Sequence, residues 1–116
     1  MLAEDRDLAY LQTIVLLAER IKAHLDKVTA AQFMDSYDDI DLLSYRLSMV
    51  GEYANKLSAS FRASHDHMPW IAMIGLRNIV AHEYARVDPG RIWATANNEL
   101  AALEKLCRDQ IELRDQ

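Results

Sequence analysis

The fold is decided by residues 8–25, LAYLQTIVLLAERIKAHL. Leu8, Leu11, Ile14, Val15, Ala18, Ile21 and Leu25 recur at spacings of three and four, which line up on one face of a helix and on neither face of a strand. The same spacing returns at Ile40, Leu43, Leu47, Val50, Ala54 and Leu57, predicting a second helix that runs to about Phe61. It returns again at Ile92, Trp93, Ala96, Leu100, Leu103, Leu106 and Ile111 in a last helix. Between these, Pro69 is placed like an N1 proline, so another helix starts near Trp70 and fades after Tyr84. Thr29 followed by Gln32 has the form of a capping box and predicts a short helical turn carrying Phe33 and Met34. Asp35 to Asp41 gather carboxylates at a helix start, and Asp88 before Pro89 reads as an N-cap followed by N1 proline. The expected architecture is all-α: a helical bundle of four main helices plus a short helical turn, formed as one domain over 1–116.

Composition agrees with this. The chain has 116 residues, 51% apolar and 27% charged, with three Gly and two Pro, which is enough for one core and too few loop formers for a sheet-rich fold. A net charge of -5 argues against indiscriminate binding to nucleic acid or an anionic membrane, so any RNA site must be local. The longest uncharged, mostly apolar run, Met68 to Leu76, is about half of the roughly 20 residues that cross a bilayer. The first residues, Met1 to Asp7, lack the basic and apolar regions of a signal peptide, and the single Cys107 cannot form an intrachain disulfide; the cytoplasm is the expected compartment. Cys107, four residues after Leu103, reads as a thiol at the edge of the core, and Trp70 and Trp93 read as core anchors.

The chemistry is concentrated in Arg77-Asn78-Ile79-Val80-Ala81-His82-Glu83-Tyr84. On a continuous helix Asn78 and His82 share a face, and Arg77 and Tyr84 align on an adjoining stripe. Arginine offers a planar, permanently charged fork for phosphate, and histidine titrates near neutrality, so the set reads as phosphate chemistry without a metal or other cofactor. The bare Arg-x4-His spacing also occurs at Arg62 and His67, where the following Asn and the Tyr are missing. Gly75, inside the same helix, suggests that another backbone or a ligand packs closely there. His65, Asp66 and His67 lack a fourth fixed ligand and are read as a polar connection rather than a metal site.

Gly51-Glu52-Tyr53-Ala54, Pro69-Trp70, Gly75-Leu76-Arg77-Asn78, His82-Glu83-Tyr84, Val87-Asp88 and Trp93 appear in this order, and in that order the chain resembles HepT-type members of the HEPN superfamily. The resemblance spans helix 1 to the last helix. It implies an all-helical homodimer, the toxin partner of a minimal nucleotidyltransferase antitoxin. It also implies an endoribonuclease in which His82 moves a proton and Arg77 stabilises phosphoryl charge, supported by Asn78 and Glu52. Tyr84 is then the acceptor of AMP, transferred from ATP by the antitoxin. Tyr53 stands where the family pattern has a small residue after the acidic one. The alternative from another class is a non-catalytic helical subunit that presents nucleotide or Tyr84 to the nucleotidyltransferase.

Overall fold

The computed structural model describes residues 3–78 and 87–115, with side chains from residue 6 onward, and contains only helices and their connections among them. In chain order these are α1 (Ala3–Leu25), α2 (Ala30–Met34), α3 (Tyr37–Lys56), α4 (Ala59–Ser64), α5 (Trp70–Gly75), α6 (Pro89–Ala94), a π-helical turn (Thr95–Glu99) and α7 (Leu100–Arg114). The all-α expectation holds. None of the described helices is long and apolar enough to cross a membrane.

The apolar stripe of α1 forms the middle of the bundle. Leu11, Ile14 and Ile21 are fully buried, each contributing about 1.5–3 kcal/mol through loss of water contact. α1 runs antiparallel to α3, as three contacts along its length show: Tyr10 with Tyr53 (ring centroids 6.1 Å apart), Arg46 donating to the Arg20 carbonyl (3.2 Å), and His24 with Asp39 (2.7 Å). On its other flank α1 is antiparallel to α7, where Arg108 bridges Glu19 at 3.0 Å and its own helix neighbour Glu104 at 2.8 Å. α2 and α6 close one end, with the Phe33 and Trp93 rings 5.2 Å apart.

Local capping follows the sequence where the partner is local. Thr29 and Gln32 form the reciprocal capping box of α2, with bonds of 3.1 and 2.9 Å. Ser36 caps α3 by accepting from the Asp39 N–H, and Asp88 caps α6 by accepting from the Gly90 N–H with Pro89 at the first helical position.

Several expectations are corrected. The helix expected to reach Phe61 ends at Lys56: Leu57 is extended (ψ 142°), and Ser58 starts α4 as its N-cap. Asp7 of α1, only 1% exposed, causes the break by taking both the Ser58 N–H (2.8 Å) and the Ser58 hydroxyl (2.6 Å). The Ser58 N–H is thereby directed across the bundle instead of along the helix. Pro69 is the N-cap of α5 rather than its N1 residue. The last helix is not uniform, because a π-helical turn at Thr95–Glu99 separates α6 from α7 and buries Thr95, which the apolar pattern omits. Finally, a Cβ built on Gly75 meets nothing within 4 Å, so the close approach expected there does not occur within the described chain; it occurs at Gly51 instead.

Trp70 and Trp93 do pack against the core, although both are half-buried. The Trp70 indole N–H is placed between the carbonyls of Arg62 (3.1 Å) and His65 (2.9 Å), which also accept the backbone N–H groups of His65 and Met68, so the indole ties the end of α4 to α5. Cys107 is fully buried rather than at the core edge, and burial pushes its thiol up to about 12, with the Glu104 carboxylate adding a smaller upward push.

Candidate functional site

The site is organised by the contact of α3 with α5. α3 presents its apolar residues to the core, while Ser44, Ser48 and Gly51 lie on the adjoining strip at spacings of four and three. These small residues let α5 lie against the α3 backbone. A Cβ on Gly51 would sit 2.5 Å from the Arg77 nitrogen, 3.0 Å from the Met73 oxygen and 3.1 Å from the Ile74 oxygen. Met73 fills the space below and is buried, with Ile74 and Leu76 half-buried beside it.

α5 ends at Gly75, and the chain tightens into a turn through Leu76 and Arg77. The Leu76 N–H donates to Met73 O (3.2 Å) and the Arg77 N–H to Ile74 O (3.1 Å), both three residues back as in a 3₁₀ turn. The helix expected to run unbroken from Trp70 through Tyr84 is therefore interrupted at Leu76–Arg77, where the motif begins. The Ser48 hydroxyl donates to the Arg77 carbonyl at 3.3 Å. The main chain of Arg77 is thus held from both sides, and its side chain is exposed, as is that of Asn78. Neither makes an ion pair or side-chain hydrogen bond among the described residues.

Glu52 follows Gly51 and so points about 100° further round α3. It is half-buried and makes no ion pair with Arg77 or any other described cation. Tyr53, on the α1 side, stacks obliquely on Tyr10, with Lys56 Nζ 5.4 Å from the Tyr53 centroid and 5.9 Å from that of Tyr10. Its larger ring is accommodated by the α1–α3 seam and not by the α5 contact. His82 and Tyr84, with the rest of 79–86, lie outside the described residues, so the structure locates Arg77, Asn78 and Glu52 only. Among the described residues no cluster of three or more His, Cys, Asp or Glu could hold a metal; His65 packs on Phe61 (4.6 Å) and meets His67 edge-on (6.2 Å). The sequence reading missed Ser48, for which the signal was the run of small residues Ser44, Ser48 and Gly51 on one α3 strip.

Beside this site, among the described residues, an apolar side chain is exposed. Ile71 is 93% exposed on α5, one turn before Gly75, which is exposed and whose built Cβ meets nothing within 4 Å.

Comparison with known proteins gives this arrangement a family. Residues 15–109 match the family model described as Ribonuclease HepT-like. The chain is 33% identical over 66 residues to "Putative RNase TTE0752" of Caldanaerobacter subterraneus, covering 57% of this chain and 59% of that protein. It is 27% identical over 96 residues to "Gamma-glutamylcyclotransferase and putative RNase MJ0434" of Methanocaldococcus jannaschii (83% and 43%). It is 23% identical over 95 residues to "Probable ribonuclease HepT" of Thermococcus cleftensis (82% and 86%). The matched stretch spans about half the length of the first relatives. No solved structure matches. With an all-helical fold, the Gly51–Arg77 contact and a family match that contains both α3 and the Arg77-to-Tyr84 segment, the chain belongs to the HepT-like ribonuclease family of the HEPN superfamily.

Proposed function

We propose that the chain is a metal-independent endoribonuclease and the toxin of a toxin–antitoxin pair. The observation that carries this reading is the placement of Arg77 in a chain of the HepT-like ribonuclease family: its backbone is anchored on α3 while its guanidinium is free to meet a phosphate. RNA supplies the nucleophile. The ribose 2′-oxygen attacks the adjacent phosphorus, the bond to the 5′-oxygen breaks, and the products are a 2′,3′-cyclic phosphate and a 5′-hydroxyl. His82 takes the proton from the 2′-hydroxyl or returns one to the leaving 5′-oxygen, and Arg77 stabilises charge on the non-bridging oxygens. Asn78 orients the phosphate or His82, and Glu52 completes the polar rim.

One motif contains one imidazole, whereas simultaneous base and acid roles need two, so a twofold homodimer with facing motifs supplies the second. The exposed Ile71 and Gly75 beside Arg77 suit such a contact, and two Arg77 side chains make the cleft locally basic despite the net charge of -5. The partner is a nucleotidyltransferase that adds AMP to Tyr84. Each phosphodiester charge placed by Arg77 then occupies the guanidinium in place of RNA.

Arg77→Ala and His82→Ala are expected to abolish cleavage of an RNA oligonucleotide with helicity unchanged. Cleavage persists in chelator and stops when the scissile ribose is 2′-deoxy. Cleavage by both variants at the parent rate removes the ribonuclease reading, and a magnesium requirement removes the mechanism. Coexpression with the partner adds AMP mass at Tyr84; because Tyr37 and Tyr45 are 85% and 57% exposed, mapping the adduct to either of them overturns the Tyr84 assignment.

A further inference from the structure

We propose that Ser48 and Gly51 of α3 are positioning residues for Arg77, fixing its main chain so that the exposed guanidinium is presented in one direction. This rests on the reading of Arg77 as the residue that stabilises phosphoryl charge in the transition state. An arginine side chain has four flexible bonds, and here it is exposed and without a described ion-pair partner, so packing does not aim it. What remains to aim it is the position of its Cα.

That position is determined from α3. The Arg77 nitrogen lies where a Gly51 Cβ would come within 2.5 Å, closer than any side chain tolerates, and one turn earlier on α3 the Ser48 hydroxyl holds the Arg77 carbonyl at 3.3 Å. Ser48 is 7% exposed, so its hydroxyl has little water to turn to. The two contacts fall on opposite ends of one residue, at the point where α5 has ended and its own i−4 bonds no longer fix the chain. Gly51 is thus required for close approach and Ser48 for a specific bond, and neither touches substrate.

Gly51→Ala must push the Arg77 backbone away by about 1 Å to reach ordinary contact, a displacement that costs on the order of 100-fold in rate at a positioned group. Ser48→Ala removes one neutral hydrogen bond and is expected to lower kcat about fivefold. In both variants KM for the RNA oligonucleotide stays near the parent value, because the displaced group acts in the transition state.

The experiment measures kcat, KM, melting temperature and the backbone amide resonance of Arg77 for the parent, Ser48→Ala, Ser48→Thr, Gly51→Ala and Arg77→Ala. The expected result is a fall in kcat for Ser48→Ala that Ser48→Thr, which retains the hydroxyl, restores, with the Arg77 amide shifted in Ser48→Ala and Gly51→Ala and unshifted in Ser48→Thr. A merely structural role would lower the melting temperature of Ser48→Ala and Gly51→Ala while leaving kcat at the parent value below that temperature, and this overturns the proposal. Should Gly51→Ala fail to fold, the Ser48 pair decides. If Arg77→Ala cleaves like the parent, the role given to Arg77 has failed instead, and the Arg77 amide then decides: moved in Ser48→Ala, the positioning stands; unmoved, it falls.

Discussion

Asp7→Ala is expected to be the most damaging single change of a polar side chain in the bundle. The carboxylate is 1% exposed and accepts two hydrogen bonds from one residue, the Ser58 N–H at 2.8 Å and the Ser58 hydroxyl at 2.6 Å. Bonds to a charged acceptor contribute about 1.5–3 kcal/mol each in net terms. The two share one carboxylate whose own burial is unfavourable, so their sum overstates the loss; a cost of about 3 kcal/mol is the working figure. For a chain of this size that is a fall of roughly 12–15 °C in melting temperature. Asp7→Asn keeps the shape and one acceptor and should lose about 1–2 kcal/mol. Urea unfolding followed by far-ultraviolet circular dichroism measures both. A double-mutant cycle with Ser58→Ala isolates the pair, since Ser58 also caps α4 through the Phe61 N–H and loses that bond on its own account. A cost for Asp7→Ala below about 1 kcal/mol, or Asp7 and Ser58 effects that add within about 0.5 kcal/mol, would refute the claim that this contact breaks α3 from α4.

Cys107, with its thiol pushed up to about 12 inside the core, should not react with Ellman's reagent at pH 8 in the folded chain and should react fully in denaturant; fast native labelling contradicts the burial. Asp39 is held below its ordinary value of 3.8, first by the Ser36 side chain and then by His24, so its contribution is fully present above that value and is lost as pH falls through the lower folded one. The melting-temperature gap between the parent and Asp39→Asn should therefore be steady near pH 5 and close below about pH 3.8; a gap that widens in acid has the wrong sign. Gly75→Ala should stabilise the isolated chain by about 0.5–1 kcal/mol, because its Cβ meets nothing within 4 Å, yet weaken a dimer that uses this face, as read by sedimentation. Loss of stability in the monomer would show that Gly75 is not an open helical position.

What the sequence by itself determined are features whose physical cause lies within about one helical turn. The three- and four-residue spacing in residues 8–25 gives α1, because burying that stripe needs only a helix and a core to face. Thr29 with Gln32 and Asp88 with Pro89 give helix starts, because a cap satisfies N–H groups two or three residues away. The ordered motifs gave the family, and with it Arg77, Asn78, His82, Tyr84 and Glu52 as candidates. Tertiary structure decided the rest through groups distant in sequence. The periodic pattern of α3 passes through Leu57 without interruption, yet the helix ends there because Asp7, 51 residues earlier, takes the Ser58 N–H. The sequence pointed to a close approach at Gly75; within the described chain Gly51 lies beneath another backbone and Gly75 does not, because only the crossing of α3 with α5 selects which helix face needs a missing side chain. The Arg77 carbonyl likewise finds a donor in Ser48, 29 residues away, because the crossing of α3 with α5 brings that hydroxyl to it.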